Sequence, residues 1–180
     1  MAMIPTHIRF ALDVLDLLPI TNVQHYISGT VYPDSRWVTG IDRELTHHSR
    51  FMQPDFPKDD FTFGWFVHCC CDELQKELHH SLFDDLDTME QLDRWILLSA
   101  AKVIQDRNDL QFFNLKEMLG HLEYVRNPND ESLELVTKFY QIIKRTYSSS
   151  ATPSPEDYGD MWLSVGLNSQ TTERLLKTLS

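Results

Sequence analysis

Apolar residues recur three and four positions apart along most of the chain, the mark of amphipathic helices rather than strands. Ile8, Ala11, Leu15 and Leu18 share one face of a first helix, and Pro5 stands where a first turn tolerates it. A short second helix is predicted to start near Thr21 and stop at Gly29. Pro33, Gly40, Pro54 and Pro57 make residues 30–60 a loop region around one short helix near 42–50. The run from Phe61 to Leu74, Phe-Thr-Phe-Gly-Trp-Phe-Val-His-Cys-Cys-Cys-Asp-Glu-Leu, is apolar nearly all round, as suits a central helix, and Asp59 or Asp60 can cap it. Asp87 with Glu90 resembles a capping box opening a helix on Met89, Leu92, Ile96, Ala100 and Val103. Another helix uses Leu115, Met118, Leu122 and Val125. After Pro128, Asn129 or Asp130 can cap one on Leu133, Val136, Phe139 or Tyr140, and Ile143. Ser148 to Pro155 reads as a Ser/Pro linker, followed by a short helix over about 170–179. No stretch alternates long enough to make a sheet. The expected fold is therefore an all-α, single-domain bundle of about six or seven helices around a central apolar helix near 60–82. A helical domain would occupy 1–147, the linker 148–156, and a C-terminal segment 157–180.

Composition narrows the function classes. A net charge of −11 repels a phosphate backbone and argues against nucleic acid as a partner, although a bound cation would reverse the field locally. No apolar stretch approaches the roughly 20 residues that span a bilayer. Arg9, Asp13 and Asp16 interrupt the first helix as no secretory core would allow. Cys69, Cys70 and Cys71 are consecutive and make poor disulfide partners, so a reducing, cytoplasmic setting is expected.

Seven of the eight histidines precede residue 81. His68 and Asp72, four apart on the central helix, lie on one face about 6 Å apart along the axis, a pair that zinc accepts readily. Gly64, one turn earlier, opens that face to another element. A plain buried His–Asp hydrogen bond would also satisfy the charge. Asp34 follows Pro33 in a turn able to hold a carboxylate, and His47 and His48 follow; adjacent helical residues diverge by about 100°, so one of the two turns inward. His7 lies on the apolar face of the first helix, where a core role is the ordinary one. His79 shares a face with Asp72 but sits about 10 Å further along, so it would serve a different ion from His68. The cysteines lack the spacing of a zinc thiolate site and read as small apolar residues. No Gly-x-Ser-x-Gly, phosphate-cradling Gly loop or His-Glu-x-x-His occurs.

The order Thr6-His7, Ser28-Gly-Thr-Val-Tyr-Pro-Asp34, Thr46-His47-His48 and Gly64-Trp-Phe-Val-His68-Cys-Cys-Cys-Asp72 resembles the zinc-dependent phospholipase C family, whose all-helical fold is shared with single-strand-specific zinc nucleases. The resemblance covers residues 5–82, and it implies that Asp34, His47 or His48, His68 and Asp72 hold one zinc, with Asp72 bridging to a second ion on His7. A third family site uses a later His with a His-x3-Glu pair. His79 or His80 is the counterpart for the first, but no His-x3-Glu follows residue 82. Secreted members also offer a mature N-terminal amine as ligand, whereas this chain is expected to keep its own start. One or two Zn2+ ions, rather than three, are therefore expected.

These readings favour a zinc-dependent hydrolase of a phosphate ester, acting on a small molecule or a lipid headgroup. Asp34 is the catalytic candidate, binding metal and orienting a water. Tyr32, Trp37 and Trp65 either line an apolar approach or belong to the core. The alternative is a non-catalytic helical module that keeps a structural metal and serves protein partners. A His/Asp hydrolase of the HD type would need adjacent His-Asp, which is absent.

Overall fold

A computed structural model describes residues 3–148 and 152–179 of the chain. It is all-helical, with no strand among the described residues. Helix α1 spans Ile4–Asp13, with Pro5 in its first turn. α2 spans Val23–Val31, its end capped by the Asn22 side chain on the His25 amide. A 3-10 turn, Tyr32–Ser35, leads into α3, Arg36–Thr39, which Gly40 ends at φ 75°. α4 is the single turn Glu44–His47. α5, Asp60–Leu82, opens with a capping box between Asp59 and Thr62. α6 spans Gln91–Asp109, α7 Leu115–Gly120, α8 Leu133–Thr146, α9 Pro155–Ser164 and α10 Ser169–Leu179. Counting α1, α2, α5, α6, α8, α9 and α10, seven helices reach nine residues or more, in keeping with the expected bundle. No helix among the described residues is long and apolar enough to cross a membrane.

Several boundaries differ from those the sequence suggests. α2 runs through Gly29 to Val31, because Gly29 is a packing residue rather than a stop. The helix expected near 42–50 is only α4; His48 turns extended and its Nδ1 caps the following 3-10 turn by accepting from the Arg50 amide. α6 starts after Glu90 without a side-chain cap, so Asp87 and Glu90 form no box. α8 is capped by Ser132. Asp130 sits at φ 58°, and Asn129 instead donates to the Tyr32 hydroxyl at 2.8 Å and the Leu45 carbonyl at 3.2 Å. Of the expected linker, residues 149–151 lie outside the described residues, while Ser154 and Asp157 form a capping box that opens α9. Met161, Trp162 and Leu175 then join the same apolar core as α1, α2, α5 and α8.

The closest packing in the bundle is between α2 and α5. A Cβ on Gly29 would lie 1.9 Å from the Phe61 carbonyl oxygen, and one on Gly64 would lie 2.0 Å from the Tyr26 carbonyl oxygen. The two backbones touch, so the side chains beside the contact are held at fixed separation. Tyr32, Phe61 and Trp65 pack edge-on around it. At the far side, buried Asp106 accepts from the hydroxyls of Tyr147 at 3.0 Å and Tyr158 at 2.6 Å, which ties α6 to α8's end and to α9.

Two stability tests follow from this packing. Gly64→Ala forces backbone apart from backbone and is expected to cost about 3 kcal/mol or more, lowering the urea midpoint, whereas Gly120→Ala, with open space around it, stays close to wild type. Burial pushes the Asp106 carboxyl up to about 7. Unfolded it titrates near 4, so between about pH 4 and 7 the folded state holds the extra proton, and stability falls as pH rises, by at most about 1.4 kcal/mol per pH unit. Asp106→Asn is expected to remove that part of the slope; parallel stability curves for the two proteins over pH 4.5–7.5 would contradict it.

Candidate metal centre

Three helices and one turn aim five imidazole and carboxylate groups at each other. His7 comes from α1, Asp34 from the 3-10 turn, His47 from α4, and His68 and Asp72 from successive turns of α5. His7 Nε2 lies 3.5 Å from Asp72 Oδ1 and 3.9 Å from Asp34 Oδ2. His47 Nε2 lies 3.7 Å from Asp34 Oδ1 and 3.6 Å from Asp72 Oδ2. The Nε2 atoms of His47 and His68 approach to 3.1 Å, and the rings of His7 and His68 stack at 3.7 Å. Two overlapping sets, His7–His68–Asp72 and Asp34–His47–His68, each place their ligand atoms within 4.8 Å of one another.

The surrounding hydrogen bonds decide which nitrogens face inward. The Thr30 carbonyl can only accept, so His68 Nδ1, 2.8 Å away, carries the proton and Nε2 presents a lone pair. Thr46 Oγ1 lies 3.3 Å from the Arg43 carbonyl and 2.7 Å from His47 Nδ1. His47 is thereby fixed in orientation, with Nε2 turned inward. α4 is held on α5 because the Thr46 carbonyl accepts from Trp65 Nε1 at 2.7 Å. Such outer bonds orient ligating imidazoles and fix their tautomers.

The result is a buried site rich in lone pairs. The side chains of His7, Asp34 and His47 are 0%, 1% and 4% exposed. Both ring nitrogens of His7 and both carboxylate oxygens of Asp34 are without hydrogen-bond partners among the described residues. Burial holds His7 well below the usual imidazole range and His47 down at about 2, so neither supplies a positive charge. Burial pushes the Asp34 carboxyl up. Buried polar atoms in native proteins are nearly always satisfied, and this many in one place with imidazole and carboxylate chemistry match the donor set of a divalent cation such as Zn2+.

The chain matches no family model, no curated protein and no solved structure. Of the seven residues expected as ligands, five converge. His48 does not: it faces solvent, 4.0 Å from Glu44 on the same turn. His79 does not join either ligand set; it lies further along α5, where burial and then Lys102 lower its pKa to about 4. Tyr32 and Trp65 belong to the core, whereas Trp37 lines a narrow apolar crevice beside Asp34. Cys69 and Cys71 are buried free thiols whose pKa burial pushes up, so they offer no thiolate.

What sequence reasoning missed are Thr30 and Thr46. Thr30 acts through its backbone carbonyl, which carries no residue signature, and Thr46 adjoins His47 without any motif of its own. The His47/His48 ambiguity has a direct test. Elemental analysis after zinc loading is expected to find His47→Ala depleted of metal and His48→Ala equal to wild type.

Proposed function

We propose that this chain is a zinc-dependent hydrolase of a phosphate ester, similar to zinc-dependent phospholipase C, acting on a small molecule or a lipid headgroup. Asp34, His47, His68 and Asp72 would hold one ion, and His7 with Asp72 a second. The observation that carries the reading is the convergence of His7, Asp34, His47, His68 and Asp72 on one buried pocket, in two overlapping sets whose ligand atoms lie within 4.8 Å of one another. Imidazole and carboxylate groups at that spacing are the donor set a divalent cation takes. The order of the five residues along the chain adds support.

When bound, zinc polarises a phosphoryl oxygen and lowers the pKa of a water. The remaining work falls to the chain. Thr30 and Thr46 hold the two imidazole rings in orientation, so little ordering is left to do on binding. Asp34, buried and with both oxygens free of hydrogen bonds among the described residues, is the acceptor available to orient a water proton. Asp72, at 12% the most exposed of the four ion-paired groups, adjoins open clefts from which a substrate reaches the site. The three free cysteines fit a reducing, cytoplasmic setting.

The near-complete closure of His7, Asp34 and His47 favours one rival, a helical module with a structural metal that serves protein partners. Metal content and turnover separate the two. Purified protein is expected to carry one or two zinc ions, to lose them in His68→Ala with Asp72→Ala, to melt at lower temperature after chelation, and to cleave bis(p-nitrophenyl) phosphate only when loaded. Stoichiometric zinc without turnover of any phosphodiester leaves the structural-metal module; absence of zinc removes both readings.

A further inference from the structure

The chain carries 16 Lys and Arg against 27 Asp and Glu, and four of the cations line a cleft beside Asp72. Two clefts, of about 360 and 300 Å3, share Arg43, Asp72, Glu73 and Lys76 in their walls. The smaller touches His47. The larger runs away from the metal ligands towards α6, where Arg94 and Lys102 complete its lining together with His79 and His80. Lys76 is paired with Glu73 at 2.8 Å, and Arg94 lies 3.9 Å from Asp87. Arg43 and Lys102 have no ion-pair partner among the described residues, and Lys102 is half-buried. Arg43 and Lys102 are therefore the cations of these clefts left for an anionic ligand to meet.

We propose that the substrate carries a second phosphate, which the Lys102 end of the larger cleft binds while the scissile ester sits at the metal ligands. The inference rests on the hydrolase reading above and adds its substrate class. Lysine suits this task because its compact charge meets a phosphate from any direction, and Arg43 lines both clefts. A substrate with one charge gains nothing from the far end. One with two gains there and is held in register at the reacting end, so binding at distance orients the ester.

The test uses the full zinc-loaded chain and isothermal titration with fructose 6-phosphate and fructose 1,6-bisphosphate, with zinc content measured on the same samples. The bisphosphate is expected to bind at least tenfold more tightly than the monophosphate. Lys102→Met with Lys76→Met, which keeps the stems, is expected to reduce that preference at least fivefold, and Lys102→Arg to retain it; circular dichroism checks that each variant folds. Equal affinity for the two ligands, binding of neither, or a preference that survives the double substitution overturns the proposal. Absence of zinc in these samples marks failure of the hydrolase reading, whereas bound zinc with equal affinities marks failure of this one alone. Turnover of short-chain phosphatidylinositol 4-phosphate at a higher kcat/KM than phosphatidylinositol supports a lipid headgroup as the source of the second phosphate. The corresponding preference among p-nitrophenyl esters of thymidine 5′-phosphate, with and without a 3′-phosphate, supports a nucleotide.

Discussion

Backbone contact between α2 and α5, made possible where Gly29 and Gly64 face the opposing main chain, is the constraint on which the rest of the structure depends. It brings the Thr30 carbonyl within reach of His68 and so chooses the imidazole tautomer. It also sets how far the Tyr32–Ser35 turn, which follows α2 directly, stands from the ligand face of α5. A bulkier pair of residues would keep the helices and lose the convergence, because the ligating side chains are short and reach only a few ångströms.

The fold class and the His68–Asp72 pair were legible because both follow from local periodicity, whereas His7, Asp34 and His47 joined them in the sequence only through the family resemblance. Gly64, His68 and Asp72 sit one turn apart, so any straight helix through them must put all three on one face. Asp34 is readable from its turn, since Pro33 limits what the backbone does there. Gly29 reads as a helix stop for a physical reason: a glycine that ends a helix and one that admits a neighbouring helix look alike in sequence, and only the partner distinguishes them. His47 and His48 could not be separated, because the choice depends on where α4 stops, and that is decided by the Thr46 carbonyl receiving Trp65 from nineteen residues away. The C-terminal segment was under-read: Ser154 and Pro155 look like linker composition but serve as cap and first residue of α9.

The site and the bundle contribute unequally to stability. Apolar packing of Tyr26, Phe61, Tyr140 and their neighbours favours the folded chain. The imidazole–carboxylate cluster adds less, since several of its buried polar atoms have no hydrogen-bond partner among the described residues. The core thus fixes these groups in place during folding, so that whatever meets them finds them already assembled.

α4 is too short to persist as an isolated helix; four residues form barely one turn. Its place is held by side chains from elsewhere, Trp65 of α5 on the Thr46 carbonyl and Asn129 on the Leu45 carbonyl, and it carries one of the five inward groups. Unlatching that segment alone would swing His47 away while α1, α2 and α5 stay packed. An opening of the α4 turn would therefore expose the buried His47–His68 face without unfolding the bundle. The architecture separates what makes the pocket rigid from what makes it accessible.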